Sequence, residues 1–201
     1  MAASTVEICN VALLRLGVKA TIKALTDQVE EAEVCSALFK PTRDKVLYDW
    51  EWGFATREKS LARYTGNPSS ERLYAYALPT DFIRARYLST GSIPRLSASR
   101  PSFKIVAAEG GQTRALSCDV DPASLVYTAR IEDPTMWSPA FDDCFAWRLA
   151  AELAMPMSVK PELFQAMSKF YIGSLAVASA ADLRERQDDP YPDSEFIQTR
   201  A

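Results

Sequence analysis

The sequence predicts a mainly α fold of the α+β kind: a bundle of about four helices, a small antiparallel β-sheet inserted between the second and third, and an extended C-terminal arm. Three observations predict it. Apolar residues recur at spacings of three and four near both ends of the chain, the mark of helices with one buried face. Between them, 54–132 is rich in Tyr, Thr, Ser, Pro and Gly and breaks into short alternating runs, as strands and turns do. The last stretch, QDDPYPDSEFIQTRA, has two prolines and a charge cluster and cannot continue a helix.

The first helix is expected at about 4–17. Ser4 and Glu7 have the spacing of a capping box, Val6, Cys9, Leu13 and Leu16 make its stripe, and Gly17 ends it as a left-handed cap. A second helix is expected at about 27–49, from Asp27 with Glu30 three residues on, burying Cys35, Leu38, Phe39, Val46 and Leu47. Pro41 removes a backbone donor inside it, which predicts a kink or break. Within 54–132, Leu125, Tyr127, Ala129 and Ile131 alternate with Val126, Thr128 and Arg130, the pattern of a half-buried strand. Gly110-Gly111, between runs at 103–107 and 113–118, signals a hairpin. The third helix, at about 139–155, opens on Ser138-Pro139 and carries Phe141, Phe145, Leu149 and Leu153. The fourth, at about 161–186, is apolar on more than one face: Phe164, Met167, Tyr171 and Leu175 on one side, Gly173, Ala176, Val177 and Ala180 near another. That pattern suits either a central core helix or burial against a neighbouring subunit. We therefore expect one domain over 1–187 and a tail over 188–201, either free or folded onto a partner through Phe196 and Ile197.

Composition narrows the chemistry. The net charge is −3, with both signs interspersed and no basic block, which argues against phosphate-driven binding. The N-terminus lacks the basic residue and apolar run of a secretory signal, and the uncharged stretch 170–181 is too short to span a bilayer, so a soluble protein made in the cytoplasm is expected. No histidine is present, which removes Ser-His-Asp and Cys-His catalysis. Cys9, Cys35, Cys118 and Cys144 stand singly and read as small buried hydrophobes, so no metal or cofactor is expected.

Carboxylates pair at Glu30-Glu31, Glu132-Asp133, Asp142-Asp143 and Asp188-Asp189. Helix neighbours point about 100° apart and do not oppose one another, and the first and third pairs suit helix N-termini. A peptidoglycan hydrolase working through a Glu/Asp pair is the alternative these residues leave, and a DNA-binding helical module is a third reading. Tyr74, Tyr76, Phe82 and Tyr87, near Arg84 and Arg86, read as strand and core aromatics rather than base-stacking platforms.

Several blocks recur in a recognisable order. NVALLRLG at 10–17 is followed by RDKVL at 43–47, WEWGFATR at 50–57, YAYALPTDFIR at 74–84, and the 127–141 segment with Glu132-Asp133-Pro134. The series resembles the tail tubular protein A family, the head-to-tail adaptor of short-tailed bacteriophages, to which head-completion proteins of long-tailed phages are related. It covers nearly the whole chain, FIQTR at 196–200 included, and W-x-W-x-F-A-x-R followed by Y-x-Y-x-L-P-x-D-F is its most specific part. The resemblance implies a structural virion protein and not an enzyme. It implies a ring, usually of twelve copies, between the portal protein and the tail nozzle or tail completion protein, at the neck of the virion, with double-stranded DNA passing through its lumen without sequence-specific binding. Candidate contacts to the portal or a neighbouring subunit are Tyr191, Phe196, Ile197 and Arg200 in the tail, and Phe164, Tyr171 and Leu175 on the last helix.

Overall fold

The computed structural model describes residues 4–19, 21–66, 71–89, 100–108, 111, 113–157 and 160–185. They divide into two compact units, one drawn from Met1–Thr56 and Thr128–Arg186, the other from Arg57–Tyr127. The chain passes between them inside its first and last strands.

The helical unit holds α1 (Thr5–Arg15), α2 (Glu30–Asp49), α3 (Pro139–Ala154) and α4 (Pro161–Glu185). In α1 the Ser4 hydroxyl accepts from the Glu7 amide, the Glu7 carboxylate accepts from the Ser4 amide, and Gly17 takes a left-handed φ of 79°. The Gly17 and Val18 amides close the last turn on Leu14 and Leu13 carbonyls, the Schellman arrangement. α3 starts on the Ser138 cap, which accepts from the Phe141 amide, and buries Phe141, Phe145, Leu149 and Leu153 completely. These side chains meet an aromatic cluster contributed from distant parts of the chain. Phe39 stands edge-on to Phe145 at 4.9 Å, and Trp52 and Trp137 each stand edge-on to Phe141 at 4.9 Å. The indole N–H groups of Trp52 and Trp137 donate to the Val46 and Ile131 carbonyls, so neither buried ring leaves a donor unpaired.

The β unit holds β1 (Thr56–Ser60), β2 (Tyr74–Ala77), β3 (Phe82–Ser89), β4 (Phe103–Ala107), β5 (Arg114–Cys118) and β6 (Ser124–Ala129), whose ends reach the helical unit. They form two three-stranded sheets, in the orders β1-β6-β3 and β2-β5-β4. β5 is antiparallel to both neighbours, with Leu116 opposite Tyr76 and Ile105, and Gly111 at φ 70° lies in the turn joining β4 to β5.

The expectation of a mainly helical bundle with one small inserted sheet is thereby corrected. The described residues form a mixed α+β arrangement of four helices and two sheets, in which the strands make a compact unit, and a 3-10 helix (Pro134–Met136) precedes α3. The reasons lie in strands whose sequence pattern does not report their surroundings. β1 reads TREKS and is exposed throughout. β6 was expected to be half-buried, yet Leu125, Val126, Tyr127, Thr128 and Ala129 are all buried, covered on both faces.

Two boundary details also differ. α2 starts at Glu30 behind Val29, with no side-chain cap, because the Asp27 carboxylate turns back to accept from the Lys23 and Ala24 amides. α2 does not break at Pro41: the lost backbone bond is outweighed by burial of Cys35, Phe39, Val46 and Leu47 along the same helix.

Candidate functional site

α4 is the element whose exposed surface asks for an explanation. Its buried stripe is narrow: Met167, Tyr171, Ala178 and Asp182, spaced by four, seven and four. Two of these are fixed by polar contacts. The Tyr171 hydroxyl donates to Asp49 at 2.5 Å, and burial with that carboxylate pushes its pKa up. The Asp182 carboxylate accepts from the Gly53 amide at 2.7 Å and the Trp50 indole at 3.3 Å, so the WEWG turn holds the C-terminal end of α4. The rest of the helix presents Phe164, Phe170, Ile172, Val177 and Leu183, between 39% and 72% exposed. Val11 and Leu14 on α1 are exposed too, and Arg15 lies 3.9 Å over the Trp147 ring of α3, which in turn packs on Phe170 at 4.9 Å. Isolated exposed apolar side chains are ordinary; on α4 they flank the buried stripe on both sides, Ile172 and Leu183 on one and Phe170 and Val177 on the other, which suits burial against protein partners.

The sequence-derived candidates fall differently on this face. Phe164 is exposed, Leu175 is half-buried and Tyr171 is buried. Tyr191, Phe196, Ile197 and Arg200 lie outside the described residues. Ile172 and Val177, the most exposed apolar residues of α4, were not singled out as contacts in the sequence, although Val177 stood in its second apolar group.

The carboxylate pairs have local structural work. Glu30 and Glu31 occupy the first turn of α2, and Asp133 caps the 3-10 helix by accepting from the Thr135 amide at 2.9 Å. Asp143 is bound by Arg15 and accepts from the Ser174 hydroxyl. Asp142 differs: its Oδ1 is buried without a partner, and burial pushes its carboxyl up to about 6. Asp188-Asp189 lies outside the described residues. Among the described residues, no three His, Cys, Asp or Glu side chains come together as a metal site, and no helix is long and apolar enough to cross a membrane. The four cysteines are buried; Cys9 and Cys35 contact one another, and burial pushes the Cys144 thiol up to about 12.

In the β unit, the two most distinctive sequence blocks meet. Arg57, which ends the W-x-W-x-F-A-x-R block, pairs with Asp81 of Y-x-Y-x-L-P-x-D-F at 2.7 Å, and the Tyr127 hydroxyl donates to the same carboxylate at 2.9 Å. Tyr76 is buried and donates to the Val120 carbonyl and the Asp121 carboxylate. No protein-family model matches the chain, and no curated protein matches it either.

Proposed function

We propose that this chain is the head-to-tail adaptor of a tailed bacteriophage: a structural, non-enzymatic subunit that forms a ring, of about twelve copies, between portal and tail. The observation that carries the reading is the pairing of the two sequence blocks through Arg57, Asp81 and Tyr127, because it gives the residues behind the family resemblance a common structural purpose. The exposed apolar flanks of α4 support it, since a ring subunit buries such surface against lateral neighbours or the portal. In this reading the tail with Tyr191, Phe196, Ile197 and Arg200 docks on the portal, the opposite rim meets the tail nozzle or tail completion protein, and the site of action is the virion neck.

A peptidoglycan hydrolase would pair the raised carboxyl of Asp142 with a second, free carboxylate across the scissile bond. Its neighbour Asp143 is instead engaged by Arg15 and Ser174. Electron microscopy of the protein mixed with portal rings of its own phage tests the adaptor reading. Stacked rings are expected; undecorated portals together with turnover of peptidoglycan would replace it with the hydrolase.

A further inference from the structure

Besides the surface of α4, the helical unit carries an open apolar groove of about 410 Å³ between α2 and the C-terminal end of α3. Val34, Ala37 and Leu38 of α2 line it with Pro156 just beyond α3, and Glu33 and Glu152 complete the lining. Glu152 is paired with Arg148 and Lys45. Glu33 is exposed, and among the described residues neither it nor Glu30 and Glu31 in the same first turn takes part in an ion pair. One end of the groove is therefore acidic. The outward face of α4 has the opposite sign. Between its two flanks run Gly173, Ala176 and Ala180, all exposed, and a Cβ added at Gly173 would meet no atom within 4 Å. Lys169 and Arg184 stand at the two ends of this small-residue floor, exposed and likewise in no ion pair among the described residues.

We propose that the α2–α3 groove receives the outward face of α4 from a second copy of this chain, the contact that repeats around the ring. It rests on the ring reading and names the lateral partner. A closed ring of identical subunits is joined head to tail, so each subunit needs two different surfaces that fit one another. α4 offers a convex apolar surface with a base at each end; the groove is concave and apolar with acids at one end, its complement in shape and sign. Two copies of α4 match less well. An antiparallel pair centred on Ala176-Val177 sets Lys169 of one copy against Arg184 of the other, like charge against like. The chain's own tail is also a poorer occupant, because 188–201 holds four acids, Asp188, Asp189, Asp193 and Glu195, against one base, Arg200. That balance repeats the sign of Glu33 and its neighbours rather than opposing it.

The test is photo-cross-linking from the groove. Ala37 is exposed and the four native cysteines are buried, so Ala37→Cys can be labelled selectively on the folded full chain with a benzophenone maleimide. The labelled chain is mixed with an equal amount of isotope-labelled chain and irradiated, alone at high concentration and again on portal rings. Cross-links from position 37 to 169–184 of the isotope-labelled chain are expected, and the isotope shows that they join two copies. Ile172→Glu with Val177→Glu in the isotope-labelled chain should lower their yield by about tenfold or more. Cross-links that stay within one chain, map to 188–201 or reach only portal overturn the proposal, as does their absence under both conditions. An undiminished yield with the α4 variant overturns it too. The contact and the adaptor reading fail separately. Stacked rings whose cross-links lie elsewhere remove the contact and keep the adaptor; cross-links to α4 beside bare portals keep the contact and remove the adaptor.

Discussion

At the scale of single residues, the described structure spends its buried charges on holding elements in place. Asp142 is the exception, and it predicts a pH dependence. Its folded pKa of about 6 lies above the ordinary 3.8, so the unfolded chain releases the proton first as pH rises. Stability contributed by this group is therefore full below about pH 4 and lost between 4 and 6. Asp142→Asn should match the parent near pH 4 and exceed it above pH 6 by about 1 kcal/mol, a figure discounted for the partial exposure of the carboxyl. That is about 3 °C in a melt followed by circular dichroism; equal melting temperatures at pH 7 would contradict it. Tyr171→Phe removes the bond to Asp49, whose exposed carboxylate can take a donor from water instead, with an expected loss of about 1 kcal/mol in urea unfolding. None of these partners was legible in the sequence. Asp49 and Tyr171 are 122 positions apart, and nothing local to either one names the other.

At the scale of elements, legibility follows how local the causes are. The capping box of α1, the Ser138 cap, the stripe of α3 and the β4–β5 hairpin depend on residues within a turn or two of one another, and each was readable. β1 was not, since it is wholly polar and shows no alternation; β6 was readable as a strand from its alternating residues, but its burial on both faces was not. The same rule separates the two halves of the candidate site. That α4 is apolar on several faces was readable; which face is covered depends on Asp49, Trp50 and Gly53, far away in sequence. The adaptor reading predicts that Ile172→Glu with Val177→Glu, both well exposed, changes the melting temperature by less than about 2 °C while abolishing ring formation in sedimentation velocity. Persistence of rings in that variant would remove α4 from the interface. Deleting 188–201 should likewise leave a folded protein, but one that no longer co-sediments with portal rings; Phe196 and Ile197 together supply roughly 3–6 kcal/mol of burial before ordering costs. Undiminished co-sedimentation would show that the tail is no docking arm.

At the scale of the whole molecule, overall composition was a poor guide to the division of charge. The acidic balance of the whole chain averages a segment of net +4 at 57–127 with a remainder of net −7. The most direct test of the central claim is electron microscopy of the full chain incubated with portal rings of the phage that encodes it. The adaptor account predicts a second ring of about twelve subunits stacked coaxially on the portal with a continuous central channel. Portals that remain bare at saturating concentrations of folded protein would contradict it.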